Sequence, residues 1–349
     1  MRVLQFTFKL LTIAGCWRPE SWTSLHKRIL YNVYSSIMIL IMYALILSQL
    51  MDIILIVDNT DDFSDNIFIF VPAACTCIKM TLLLINRKSI NLLIHTLTKE
   101  PCKPRESAEI KIFHKFDDSI ENNTRRYTCL ALITCVSWFP FDYSSTALFV
   151  LLFFHQFLSA VVGSLLNLAC DTLIWGLLTH VCCQLEILAY RLKKIIFYTD
   201  ILRDCILQHY CIFKLAILIN VKFRLIMTIQ FTMSLLDICF ALYQINITTT
   251  KAKYLEMIMY MSIMLIQIFF YCWYANEVKL KGPELIDDIF QMEWLTLDEN
   301  IKKSLIIIMK RALLPIQITS AYIIPMNLES FMDLLKVSYS TYNLLQQTK

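Results

Sequence analysis

Glycine and charged residues are the two classes that this sequence has least of. Only 4 of its 349 residues are glycine, and 17% are charged. So few glycines cannot supply the glycine-rich phosphate loops of nucleotide-binding folds or the nucleophile elbow of hydrolases, which excludes both classes. Since a soluble domain carries about 25% charged residues, this chain also has too little polar material to cover a surface in water.

Clustered metal-binding or catalytic side chains are missing from the sequence as well. The 6 histidines are scattered without an H-x-x-H motif, and the 13 cysteines form no C-x-x-C pair. Most of the cysteines lie inside apolar segments, where a free cysteine behaves as a small buried hydrophobe. The net charge of +4 is small. We therefore expect no enzyme, no cofactor, no metal and no nucleic-acid partner.

Apolar residues dominate instead, and they come in long runs. They make up 57% of the chain, and the mean hydropathy is +0.58. A run of about 20 apolar residues is long enough to cross about 30 Å of hydrocarbon. The sequence predicts an all-α membrane protein, one domain over residues 1–349 with seven transmembrane helices. The predicted spans are 29–51, 67–85, 127–141, 148–178, 215–245, 254–274 and 316–345.

The distribution of lysine and arginine predicts how these spans are oriented. Basic residues concentrate before the first span and in every second connection after it, whereas residues 52–66 and 142–147 contain none. By the positive-inside rule the N-terminus is cytoplasmic, and after seven spans the C-terminus is extracellular. The sequon at Asn246 then lies on an outer loop, where it is a candidate for N-glycosylation.

Helices are expected to extend beyond the bilayer. Residues 148–196 contain no proline, and a helix of that length at about 1.5 Å per residue is far longer than a membrane is thick. A heptad-like apolar seam runs along its second half, from Val181 to Ile195. Two interpretations remain open, an amphipathic helix lying on the membrane or a packed cytoplasmic anchor. We favour an anchor in which helix extensions from about 179–214 and 275–314 pack together.

The last predicted span has one polar side. Its polar residues recur every three or four positions, which places them along one side of a helix. An ionisable side chain facing lipid costs about 2.5 kcal/mol or more at the bilayer centre, so this side must face water or protein. Either Asp333 and Lys336 pair and are buried among neighbouring helices, or the side lines an aqueous pore, which requires an oligomer. The candidate pore residues are Glu329, Asp333, Lys336, Ser340, Asn343 and Gln347, with a gate at Leu344 or Thr348.

Aromatic and methionine side chains are frequent in the predicted outer halves of spans two to six. Each one alone is more simply explained by packing. Together they could line a cavity for a volatile hydrophobe, in which a few hydroxyls orient the ligand. The candidate ligand-binding residues are Phe70, Ala74, Thr134, Ser137, Trp138, Phe154, Phe157, Val161, Met233, Phe240, Tyr260 and Met264.

Ionisable residues also occur inside the predicted spans. They are Lys79, Asp171, Asp237 and Glu256. Each is a functional candidate by default, although a satisfied internal pair is the commoner outcome. Lys79 and Asp237 are one possible pair.

Several motifs resemble those of one known family. The most specific are at the C-terminal end: KRALLP at residues 310–315, PMNLESF at 325–331 and SYSTYNLL at 338–345. Others are WFPFD at 138–142 and YCWYANE at 271–277. In these segments the chain resembles the insect odorant receptors, and the resemblance covers most of its length.

The resemblance implies an odorant-tuned subunit in the plasma membrane of sensory neurons, which assembles with a shared odorant co-receptor into a tetrameric, non-selective cation channel. It also implies a ligand site in the outer half of the bundle, a common cytoplasmic anchor and a pore lined by the last helix of each subunit. The partners would be the co-receptor, a small volatile organic ligand and membrane lipid. A gustatory receptor of the same architecture is the nearest alternative. A membrane transporter is a weaker one, since the chain lacks two matching halves with broken spans.

Overall fold

Long helices account for almost the whole of the described chain. The computed structural model describes residues 3–19, 21–55, 60–137, 147–196, 199–248, 250–293, 296–321 and 323–347. The α-helices in chain order are α1 (Gln5–Ile13), α2 (Leu25–Leu55), α3 (Thr60–Thr98), α4 (Ser107–Ser137), α5 (Ala147–Lys193), α6 (Leu202–Ile247), α7 (Lys251–Phe290), α8 (Glu299–Ala312) and α9 (Leu328–Gln347). The predicted all-α class is confirmed.

Short elements join the later helices. Two 3-10 turns, Lys194–Ile196 and Thr199–Ile201, connect α5 to α6. A two-stranded antiparallel hairpin, β1 (Thr319–Ser320) and β2 (Ile324–Pro325), precedes α9.

The hairpin corrects the predicted start of the last span. The helix that the sequence predicts over 316–345 begins at Leu328 instead. Pro325 belongs to the hairpin, and its missing backbone N–H disfavours a helix that continues through it. Asn327 then caps the new helix, because its Oδ1 accepts a hydrogen bond from the backbone N–H of Ser330 at 2.8 Å.

Helices α2, α3, α5, α6 and α7 are long and apolar enough to cross a membrane. The longest, α5, has 47 residues. At about 1.5 Å per residue it measures about 70 Å, more than twice the hydrocarbon thickness. Of the two remaining predicted spans, residues 127–137 lie in the C-terminal part of α4 and residues 328–345 lie in α9, whereas residues 138–141 lie outside the described residues.

The centre of the bundle is α5. It packs against α1, α2, α3, α4, α6 and α7, and it is hydrophobic on all sides, as expected for a helix surrounded by protein. Leu166, Leu177 and Leu188 on α5 have no exposed surface. Helix α2 is the opposite case, since Leu30 and Leu40 are 62% and 69% exposed. Such side chains are suited to contact with lipid.

The extended ends of α5, α6 and α7 pack together with α8. We call this region, residues 179–214 and 275–314, the anchor end. The apolar seam predicted along α5 from Val181 to Leu192 is buried there, and α8 contacts both α6 and α7. The prediction that the helix extensions pack together is therefore confirmed, and a lone amphipathic helix is excluded for α5.

Candidate functional site

A mostly apolar cavity of about 220 Å³ lies between α2, α3, α4, α5 and α7. Concave apolar pockets with a few polar groups are the usual sites for small molecules in proteins. We call the part of the bundle that contains it the cavity half. The lining residues are Met42, Leu45, Ile69, Pro72, Ala73, Thr76, Tyr127, Ala131, Thr134, Ser159, Ala160, Gly163, Ser164, Asn167, Leu168, Tyr260, Ile263 and Met264.

Three of the predicted ligand-binding residues are in this lining, namely Thr134, Tyr260 and Met264. Trp138 and the side chain of Ser137 lie outside the described residues. The predicted residues that are described but do not line the cavity are Phe70, Ala74, Phe154, Phe157, Val161, Met233 and Phe240.

The predicted residues outside the lining lie on other faces of their helices or on another helix. Phe70 and Ala74 each follow a lining residue on α3 and are half-buried on a neighbouring face. Phe154 is 64% exposed and so faces away from the bundle. Met233 and Phe240 are on α6, none of whose described residues lines the cavity. Successive residues of a helix point in different directions. A segment rich in aromatic and methionine residues therefore does not show which of its side chains face the cavity.

The sequence reasoning missed the main contribution of α5. Ser159, Gly163 and Asn167 line the cavity at a spacing of four, which places them on one face of the helix. All three are small or polar residues in an otherwise apolar segment. That spacing is visible in the sequence, but the predicted ligand-binding set consists mainly of large aromatic and methionine side chains. Small residues are the ones that leave room for a cavity.

A buried polar network lies next to the cavity. Lys79 on α3 has no exposed surface, and its Nζ donates hydrogen bonds to Asn167 Oδ1 at 2.5 Å and to Asp171 Oδ1 at 2.6 Å. Tyr271 Oη donates to the same oxygen of Asp171 at 2.7 Å, and Gln267 Nε2 donates to the other oxygen. The network therefore joins α3, α5 and α7 through charge-assisted hydrogen bonds.

The network corrects one sequence-based pairing. Lys79 pairs with Asp171, not with Asp237. Asp237 is buried on α6, whereas Lys79 faces α5. Which helices are neighbours is a property of the fold that the sequence does not state.

The polar side of α9 is largely exposed in the single chain. Lys336 Nζ donates to Asp333 Oδ1 at 3.1 Å, and the two side chains are 72% and 62% exposed. Glu329 and Ser340 are exposed and Asn343 is half-buried. The side chains of the predicted residues Leu344, Gln347 and Thr348 lie outside the described residues.

The opposite face of α9 holds the helix to the bundle. Leu334 and Ser338 are buried there, where α9 packs against α6 and α7, and Phe331 meets Phe269 edge to face. Of the first interpretation, the Asp333–Lys336 pair is formed, but in the single chain it is exposed and not buried among helices. A surface that faces water or another subunit remains.

Two further features concern glycosylation and metal binding. Asn246 lies in the last turn of α6, and its side chain is outside the described residues. In the part of the chain that the structure describes, no three His, Cys, Asp or Glu side chains come together as a metal-binding group.

Comparison with known proteins gives consistent matches. The family model for the 7tm odorant receptors matches residues 59–339. Odorant receptor 10 of Aedes albopictus is 35% identical over 112 residues, which are 32% of this chain and only 30% of that protein. Odorant receptor 46a, isoform A, of Drosophila melanogaster is 25% identical over 309 residues, which are 80% of this chain and 81% of that protein.

A solved structure has the same fold. The insect olfactory receptor OR5 from Machilis hrabei, determined in complex with eugenol, superposes with a TM-score of 0.88. The superposition covers 99% of this chain and 97% of that one at 16% sequence identity. At this identity the likeness concerns the fold.

Proposed function

Taking as our premise that this chain belongs to the 7tm odorant receptor family, we propose that it is an odorant-tuned subunit that binds a small volatile organic molecule. Members of this family are multi-pass membrane receptors and not enzymes. The proposed location is the plasma membrane of sensory neurons. A gustatory receptor and a transporter are set aside, because the family model and the relatives are odorant receptors.

The observation that carries the proposal is the cavity of about 220 Å³ between α2, α3, α4, α5 and α7. Its lining is apolar apart from a few hydroxyls, an amide and two tyrosines. A volatile molecule is small and weakly polar, so burial of its apolar surface at about 25 cal/mol per Å² supplies most of its affinity. A few polar groups then fix its orientation. The solved relative of the same fold is a complex with eugenol, a molecule of this kind.

The second part of the proposal is a ligand-gated, non-selective cation channel that this chain forms with an odorant co-receptor, and it gives the polar side of α9 its role. One helix cannot enclose a pore, so the exposed polar side of α9 is proposed to face an axis around which subunits repeat. The basic residues near the anchor end support a cytoplasmic location for that end and an extracellular C-terminus.

An odorant panel tests the function in cells that express this chain with and without the co-receptor. We expect odorant-evoked cation current only when both are present, and we expect it to persist when G-protein signalling is blocked. Current that vanishes under that block would contradict the channel.

A tag at the C-terminus is expected to be labelled on intact cells. Labelling only after permeabilisation would contradict the orientation.

A further inference from the structure

Asn167 stands between the cavity and Lys79, and charge fixes its orientation. An ammonium group can only donate hydrogen bonds. The atom of Asn167 that lies 2.5 Å from Lys79 Nζ must therefore be the oxygen, Oδ1. The amide nitrogen Nδ2 is left on the other side, and it has no hydrogen-bond partner among the described residues. Because Asn167 lines the cavity, its two N–H groups are available to a molecule bound there.

Two neighbouring hydroxyls have the opposite character. Thr76 Oγ1 donates to the backbone carbonyl of Pro72 at 2.8 Å, and Ser159 Oγ donates to that of His155 at 2.7 Å. Each hydroxyl proton is thus used within its own helix, and only oxygen lone pairs remain for a ligand. Asn167, in contrast, can only donate toward the cavity.

The volume gives a scale for the size of the ligand. A dry cavity of about 150 Å³ holds a benzene molecule. By the same ratio, the cavity of about 220 Å³ holds about nine non-hydrogen atoms.

We propose that the ligand of this cavity is a neutral carbonyl compound of about nine non-hydrogen atoms, a ketone, aldehyde or ester, whose oxygen accepts a hydrogen bond from Asn167 Nδ2. The inference rests on the proposed function, because it assigns a ligand class to the same cavity. A hydrocarbon of equal shape fills the cavity but leaves Nδ2 without an acceptor. Since an unmet buried donor is costly, the hydrocarbon is expected to bind about tenfold more weakly.

Matched pairs of odorants test this proposal. Acetophenone with α-methylstyrene and benzaldehyde with styrene differ only in the exchange of a carbonyl oxygen for a methylene carbon. Heptanal and its terminal-alkene isostere form an aliphatic pair. In cells expressing the chain and the co-receptor, each carbonyl member is expected to evoke half-maximal current at about tenfold lower concentration than its partner.

Variants locate the preference on one side chain. Asn167→Leu is expected to remove the gap by weakening the response to the carbonyl members alone. Ser159→Ala is the matched control and should keep the gap, because the Ser159 hydroxyl already donates its proton to the backbone carbonyl of His155. Labelling of the chain at the cell surface accompanies each measurement.

The outcomes separate the proposal from the function on which it rests. Equal responses to both members of every pair in the unmodified chain overturn the proposal, whether or not Asn167→Leu reaches the surface. A gap that persists in Asn167→Leu overturns the role of Asn167. If other odorant classes activate but no pair does, the ligand class is wrong and the receptor function stands. If no odorant of any class evokes current from surface-labelled chain, the proposed function itself fails.

Discussion

The anchor end and the cavity half each bury an ion pair, and the two pairs are built differently. At the anchor end, Arg191 engages all five of its N–H groups, and its partner Glu109 comes from the adjoining helix α4. Two of them bond the carboxylate of Glu109, both at 2.8 Å. The others bond Gln208 Oε1 at 2.9 Å and the backbone carbonyls of Pro101 and Lys103 at 2.8 and 2.9 Å. The guanidinium is therefore saturated, in the bidentate geometry that suits arginine.

The electrostatics of Glu109 agree with this arrangement. Burial alone would raise the pKa of its carboxyl, but the hydrogen bonds from Arg191 and from the backbone N–H of Arg105 hold that pKa below its ordinary value of 4.5. Since the folded-state pKa is lowered, the pair's contribution to stability is present above that value. It is lost as the pH falls through the lower, folded-state pKa.

The pair in the cavity half is joined to a surface that a ligand can reach. Lys79 Nζ bonds Asp171 and Asn167, and Asn167 is at the same time part of the cavity wall. The two pairs therefore differ in what they can bind. The saturated pair at the anchor end has no N–H group left for a ligand, whereas the pair in the cavity half also orients Asn167, which we propose to bind the ligand.

The largest effect is expected from breaking the saturated pair. Arg191→Met leaves the Glu109 carboxylate buried without its counter-charge, and removing one partner of such a pair costs about 3–5 kcal/mol. We expect a strongly lowered melting temperature in detergent and little chain at the cell surface. Arg105→Gln is the control, since its pairs with Glu100 and Asp204 are exposed and such pairs contribute about 0–1 kcal/mol. Equal melting of the two variants would contradict the assigned role of Arg191.

The two halves also differ in how far the sequence predicts them. Apolar runs and the lack of proline in 148–196 predict the long helices, and the buried seam from Val181 to Leu192 follows from its heptad spacing. The residues that line the cavity are harder to predict from the sequence, because lipid-facing and cavity-facing side chains are both apolar. Phe154 satisfies every rule for a pocket residue and yet is 64% exposed.

Polar spacing would have been a better guide to the cavity half. Asn167 and Asp171 are four residues apart on α5, and Gln267 and Tyr271 are four apart on α7. A polar pair on one face of an apolar helix marks the side that faces protein. What no spacing could supply is the partner of Lys79, because that depends on α3 lying beside α5.

Intermediate effects are expected from substituting two glycines of α5, one in the cavity wall and one outside it. A Cβ at Gly163 would lie 3.1 Å from Met42 Cε, the flexible end of a side chain in the cavity wall. Gly163→Ala is therefore expected to keep the fold and shrink the cavity, weakening the response to larger odorants several-fold.

A Cβ at Gly176 would lie 2.5 Å from Leu4 Cδ2, and Leu4 is buried. Gly176→Ala should cost about 1–3 kcal/mol by overpacking.

Odorant ranking and melting temperature, measured on both glycine variants, distinguish these effects. Gly163→Ala should change the ranking with little change in melting temperature, and Gly176→Ala should do the reverse. If Gly176→Ala altered the ranking as much as Gly163→Ala did, the cavity would not be the region that selects ligands.

The smallest effect on the fold is expected where the charges are not buried at all. Lys336 and Asp333 on α9 are 72% and 62% exposed, and an exposed pair contributes about 0–1 kcal/mol. Asp333→Leu should therefore leave the melting temperature nearly unchanged, yet it should alter the current–voltage relation if this side of α9 lines the pore. Ser338→Ala, on the buried face of the same helix, should leave permeation as it is. An unchanged current–voltage relation together with a changed odorant ranking would contradict a pore role for this side of α9, because a pore-lining charge acts on the permeating ions and not on the odorant.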